Sequence, residues 1–134
     1  MTVEKPLPHP DPLTAPYWAA AREHRFVLPR CEACLAHHFY PRSVCPHCGS
    51  PRIAWQEASG RGTVYTYTII HRAPSPAYAA DVPYAVAVVA LEEGPHLMTN
   101  IVDCAPDAVS IGMPVRVAFR DVSAEMTLPV FAPE

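Results

Sequence analysis

Lysine is almost missing from this chain of 134 residues: Lys5 stands alone beside nine arginines. Charged residues of both signs reach only 17%, against 50% hydrophobic. With a net charge of -3 and no basic stripe, the sequence argues against a protein that grips bulk nucleic acid or an anionic membrane. No apolar run approaches membrane-spanning length, and the start MTVEKPLPHPDP has no signal-peptide core. The expectation is a cytoplasmic protein, a compartment in which disulfides are disfavoured. So little charge over so much apolar residue suggests that a partner covers part of the surface. A well-packed monomer of Ala-rich and Pro-rich composition is the alternative. The arginine excess suits bidentate phosphate or carboxylate contacts, and a GC-rich genome would produce the same bias.

What the chain does contain is concentrated in RCEACLAHHFYPRSVCPHCGS, residues 30–50. Cys31 and Cys34 form one Cys-x-x-Cys pair, Cys45 and Cys48 a second, and the ten residues Leu35 to Val44 separate them. Each pair can form a tight turn that aims two thiolates at one point. Two such turns complete a tetrahedral four-sulfur site. Gly49 suits the backbone of the second turn, whereas Leu35 stands where the first would favour another glycine. A thioredoxin-like site needs one Cys-x-x-Cys at a helix start. Catalytic zinc keeps an open position, and four thiolates leave no place for His37, His38 or His47. A structural Zn2+ is the reading, and iron in a rubredoxin-like cage is the competitor that four sulfurs also suit. HHFYP reads as a short strand with Phe39 and Tyr40 on either side of the ribbon, and FVLPR as a strand leading into Cys31.

Residues 1–13, with four prolines in the first twelve, read as an extended tail. TAPYWAAAREH reads as a short helix with Thr14 as cap candidate, Pro16 in its first turn, and Tyr17 and Trp18 as core or interface aromatics. Residues 14–52 read as the helix plus the cysteine ribbon, and residues 53–134 as a barrel domain. In the latter, GTVYTYTIIHR alternates, with Tyr65, Tyr67 and Ile69 on one face and Val64, Thr66, Thr68 and Ile70 on the other. VPYAVAVVALEEG is apolar on both faces, which calls for a cover over its outer side. PHLMTNIVD, MPVRVAFRDV and MTLPVFAP complete five short strands without a long helix, the pattern of a small closed barrel. Cys104 stands apart and reads as a small buried hydrophobe.

These segments occur in the order YW…FVLPRC-x-x-C…FYPR-x-x-C-x-x-C, W-x-E-x-S-G-R-G-TVYTYT, PY-x-V-x-V-x-x-LEEGP-x-L-x-TNIV and IGMPVRV. From Tyr17 to Val117 the chain thereby resembles the acyl-CoA-associated OB-fold proteins with a zinc ribbon, the domain-of-unknown-function 35 family. The resemblance implies a mainly β protein: an N-terminal helix and zinc ribbon followed by a five-stranded OB-fold barrel. Metal positions carry over onto Cys31, Cys34, Cys45 and Cys48, and no catalytic residue carries over. It implies an accessory subunit in a hetero-oligomer with a thiolase-like, ketoacyl-synthase-like or MaoC-like enzyme acting on acyl-CoA. The partner chemistry would be thiolysis, acyl transfer, enoyl-CoA hydration or retro-aldol cleavage.

Two function classes follow. The first is a non-catalytic partner of an acyl-CoA enzyme, for which Arg61, His71 and Arg72 at the ends of the first barrel strand are candidate contacts for coenzyme A phosphates. Solvated loop arginines are the bland alternative. The second is a nucleic-acid module, with Tyr65 and Tyr67 as stacking residues. That module would need a basic groove around its aromatics, and arginines stand only at the margins of this strand.

Overall fold

A computed structural model describes residues 4–134. The helix α1 runs from Ala15 to Arg22, with a proline in its first turn and Tyr17, Ala20 and Ala21 buried. Thr14 takes the N-cap position but makes no side-chain cap bond. Its hydroxyl instead accepts the Asp11 N–H at 3.1 Å, while Asp11 Oδ1 accepts the Thr14 N–H at 2.8 Å. This reciprocal turn launches the helix in place of a cap.

Strands β1 (Val27–Cys31) and β2 (Ile53–Glu57) pair antiparallel, with Leu28 opposite Gln56 and Cys31 opposite Ile53. The two-stranded sheet thus carries the cysteine loop between its strands, and residues 53–57 belong to its ladder. HHFYP contributes only one bridge, His37 to Arg30, and no strand. Its main chain is tied down by the His38 N–H, which donates to the Pro29 carbonyl at 3.1 Å.

The barrel closes in the order β3-β4-β5-β7-β6, formed by Arg61–Ile70, Tyr84–Leu91, His96–Ile101, Thr127–Pro133 and Pro114–Asp121 respectively. All pairings are antiparallel except β5 with β7, which meet in parallel at Ile101 and Phe131. The strand count implied a small closed barrel, and the resemblance a five-stranded OB-fold; the strand order fits both. Phe131, Val64, Val89 and Val115 are its fully buried centre. Gly62 is required where β3 crosses β4 closely, because a Cβ there would lie 2.5 Å from the Ala90 carbonyl oxygen.

A bulge between Val64 and Thr66 changes the reading of β3. Directly opposed residues share a face in an antiparallel pair. Val64 opposes Val89, Tyr67 opposes Ala87 and Ile69 opposes Ala85, so these three share the barrel side with buried partners. Tyr65 is the extra residue and projects outward, 59% exposed. One inserted residue shifts a period-2 pattern by one, which separates Tyr65 from Tyr67.

Ribbon and barrel are packed together. Phe26, just before β1, meets Phe131 edge-on with ring centroids 5.9 Å apart, and its carbonyl accepts the Ala58 N–H at 2.9 Å. Tyr17 sits among Trp18, Phe26, Phe39 and Trp55, with centroids 5.1 to 6.4 Å away. It is therefore a core residue joining helix, ribbon and barrel, and Trp18 covers it from outside.

Candidate metal centre

The four cysteines converge at the end of β1. Their sulfurs all lie within 4.8 Å of one another, with Cys31 to Cys48 at 3.6 Å and Cys34 to Cys45 at 3.7 Å. A tetrahedral ion with Zn–S bonds of about 2.3 Å requires S–S edges of about 3.8 Å, close to these values. A disulfide would bring sulfurs to about 2.05 Å, so the set is built for a metal rather than for cross-linking.

The surroundings favour the thiolate at one cysteine of each pair, Cys31 and Cys45, while in the metal-free cluster the neighbouring thiols and burial push Cys34 up and Cys48 up to about 11. The Cys34 N–H points at Cys31 Sγ at 3.4 Å, and the Cys31 thiol is lowered to about 6, chiefly by that amide. The His47 N–H meets Cys45 Sγ at 3.3 Å. Burial pushes the Cys45 thiol up, and the amides of Cys48 and His47 outweigh it, so this thiol also ends below its ordinary value. Amide donors aimed at sulfur stabilise the charged form that a metal needs. Structural zinc fits this donor set; with no open position, its role is to hold the knuckle together.

The coenzyme A candidates are not brought together. Arg61 opens β3 and pairs with Glu134 at 3.2 Å, whereas His71 and Arg72 follow its far end, both exposed. They stand at opposite ends of the ten-residue strand β3. Cys104 is half-buried, and burial followed by the neighbouring Asp103 pushes its thiol up, a poor setting for a nucleophile.

The sequence called for a cover over the outer side of β4, but it missed that the apolar surface there extends to Met98 and Tyr40. Met98 on β5 is 61% exposed and Tyr40 from the ribbon loop 55%. The Met98 N–H donates to Tyr40 Oη at 3.4 Å, which locks loop to barrel. Met98 opposes Val88, which opposes Thr66, so the outer faces of three strands run on from Tyr40. Beside Met98 and Tyr40 an apolar cleft of about 280 Å³ opens between Trp18, Phe39 and Pro129. The doubly apolar pattern of β4 was the available signal; the part played by Tyr40 depends on tertiary folding.

Comparison with known proteins bears on both features. The rubredoxin-like zinc ribbon domain of ChsH2 matches residues 18–54, and the C-terminal OB-fold domain of ChsH2 matches residues 55–120. A protein of Thermomonospora curvata described as a probable enoyl-CoA hydratase alpha subunit is 43% identical over 129 residues, which is 96% of this chain. The match spans only 40% of that relative's own length. A DUF35 domain-containing scaffold protein of Methanocaldococcus jannaschii is 35% identical over 118 residues, covering 86% of this chain and 82% of that protein. Among solved structures, a chain of the Ltp2-ChsH2(DUF35) aldolase superposes with a TM-score of 0.85 at 43% identity, covering 95% of this chain and 98% of that one. With its four thiols clustered beside a closed five-stranded barrel, the chain belongs to the ChsH2-type DUF35 family of zinc ribbon and OB-fold proteins.

Proposed function

We propose that this chain is a non-catalytic accessory subunit of an acyl-CoA-processing enzyme, in which a partner chain carries the chemistry. The observation that carries this reading is the match along almost the whole chain to one chain of an aldolase assembly, at 43% identity. The same match favours a partner of the aldolase type. The hydratase name of the Thermomonospora curvata relative supports a MaoC-like partner as the second choice. Cys31, Cys34, Cys45 and Cys48 ligate the structural zinc in this reading, and the ribbon positions Tyr40 for assembly.

Physically, exposed Tyr40 and Met98, with half-buried Val88 opposite Met98, supply apolar area that association would remove from water. A subunit bound there can order the partner's loops or wall off an acyl-CoA tunnel. Contact with coenzyme A phosphates is kept for His71 and Arg72, which are adjacent in the loop after β3; Arg61 is too far from them to join one phosphate site. Co-expression with a thiolase-like, ketoacyl-synthase-like or MaoC-like subunit should yield a stable mixed oligomer. Acyl-CoA turnover should follow the partner and change when this chain is added. Robust turnover by the isolated chain would overturn the reading.

A further inference from the structure

From Lys5 to Pro12 every residue is a proline or precedes one, because prolines stand at positions 6, 8, 10 and 12. Each ring fixes its own φ and holds the residue before it in extended conformations. Every second residue also lacks an N–H, so the segment cannot join a sheet as a regular strand. What remains is a stiff extended segment, which at about 3.1 Å per residue reaches about 28 Å from Lys5 to Thr14. Holding it in place costs little entropy, since the free segment has few conformations to lose.

Both of its ends are fastened. Beside α1, the Asp11 carbonyl accepts the Thr14 and Ala15 N–H groups at 3.1 and 2.8 Å. At the other end, Lys5 Nζ lies 2.5 Å from Asp81 Oδ2 and 5.4 Å from the centroid of the Tyr78 ring. Between them only Pro8 is half-buried, and among the described residues no main-chain hydrogen bond ties residues 5–10 to the barrel. Thr14 borders the cleft beside Met98 and Tyr40, and Lys5 borders a second cleft of about 310 Å³; Asn100 and Val130 line both. The segment therefore lies along the seam where β5 meets β7.

Asp81 and Tyr78 belong to the loop between β3 and β4, residues 71–83, which also carries His71 and Arg72. The hydrogen bonds of this loop around Tyr78 are short-range. Tyr78 N–H donates to the Ser75 carbonyl and Asp81 N–H to the Tyr78 carbonyl, both at 3.0 Å. Tyr78 also approaches Tyr84 of β4, with ring centroids 6.3 Å apart. The Lys5 and Asp81 side chains are 47% and 42% exposed. At such exposure the ion pair and the cation–ring contact each shift an equilibrium by no more than about five-fold. A latch of that strength stays closed most of the time and opens readily.

We propose that residues 5–13 form a strap over the β5–β7 seam, with Lys5 as the latch that holds the 71–83 loop against the barrel. Opening the strap uncovers Tyr84, Ile101 and Val102 and releases the loop that carries His71 and Arg72. The device belongs to the free chain and stands whatever subunit binds elsewhere.

The test uses the full zinc-loaded chain. Because Lys5 is the only lysine, a chain grown with isotope-labelled lysine gives one main-chain amide signal in the NMR spectrum. The relaxation of that signal reads the order of the strap. Asp81→Asn, a change in the loop, should lower its heteronuclear NOE. Conversely, Lys5→Gln should speed amide exchange of residues 75–81 about five-fold while β4 and β5 keep their protection. Salt at about 1 M, which screens charges beyond about 3 Å, should speed loop exchange in the parent and do little in either variant. Lys5→Asp combined with Asp81→Lys should restore slow exchange, which isolates the ion pair from any other loss. Loop exchange indifferent to Lys5→Gln, or a Lys5 signal as mobile in the parent as in Asp81→Asn, would overturn the strap. A charge-swapped double variant that exchanges as fast as the single ones would overturn Lys5 as its latch.

Discussion

Leu35 and Gly49 occupy the same place in the two cysteine turns. Each N–H donates at 2.9 Å to the carbonyl of its turn's first cysteine, Cys31 or Cys45. Both residues are left-handed, with φ of 68° and 79°. Glycine adopts this region freely, whereas a residue with a Cβ is penalised by about 1–2 kcal/mol. Leu35→Gly should therefore stabilise the ribbon by about 0.5–1 kcal/mol, once the greater freedom of glycine in the unfolded chain is deducted. Denaturant unfolding of the zinc-loaded protein measures this, and a destabilised variant would show that the Leu35 side chain matters more than its backbone.

The metal should be inseparable from the local fold. Removing one thiolate by Cys45→Ser is expected to abolish stoichiometric zinc and loosen the loop between β1 and β2, because binding energy and folding energy are one quantity here. The barrel strands have their own buried centre in Phe131, Val64, Val89 and Val115 and should stay paired. Elemental analysis with amide hydrogen exchange separates the two regions. Exchange that speeds up equally in both would show that the ribbon and barrel unfold as one unit.

Acid should act through Asp121. Its carboxylate accepts the Thr127 hydroxyl at 2.6 Å and contacts His24 Nε2 at 3.0 Å, which hold its pKa below the ordinary value. His24 stacks on Phe119 at 5.2 Å, so the cluster fastens the end of α1 to β6 and β7. A depressed folded pKa gives stability that is present above the unfolded value of about 3.9 and lost as pH falls through the folded one. Melting temperatures should fall below about pH 4, and Asp121→Asn should flatten that part of the profile. An unchanged acid slope would assign the loss to other carboxylates or to protonation of the metal-binding thiolates.

Much of this architecture was legible locally. The paired cysteine spacing specifies a four-sulfur site because two tight turns leave little geometric choice. The five barrel strands announced themselves through apolar patterning and turn residues. What was hidden depended on partners distant in sequence. Ile53–Glu57 reads as the entrance to the barrel, yet it pairs with β1, and strand pairing leaves no mark on a single strand. The bulge at Tyr65 is set by how β3 must bend between β4 and β6, so uninterrupted alternation misassigned the faces of Tyr65 and Tyr67. Tyr17 and Trp18 are adjacent aromatics of similar promise, and only packing tells that Tyr17 is inside.

Tyr17 and Met98 should answer opposite questions. Tyr17 is buried among four aromatic rings, so Tyr17→Ala removes core and should cost about 3–5 kcal/mol of folding stability. Loss of assembly in that variant would say nothing about an interface. Met98 projects outward at 61% exposure, and its backbone pairing with Val88 does not depend on its side chain. Met98→Asp should therefore leave the free chain within about 0.5 kcal/mol of its stability, as exposed substitutions do. In the complex the same carboxylate would be buried against apolar surface without a partner, a penalty of several kcal/mol. Assembly with the co-expressed enzyme subunit should weaken at least ten-fold, the equivalent of about 1.4 kcal/mol. Titration calorimetry on the folded variant reads this directly, with zinc content and melting temperature as controls. Unaltered affinity with both controls intact would remove the Met98 and Tyr40 surface from the interface.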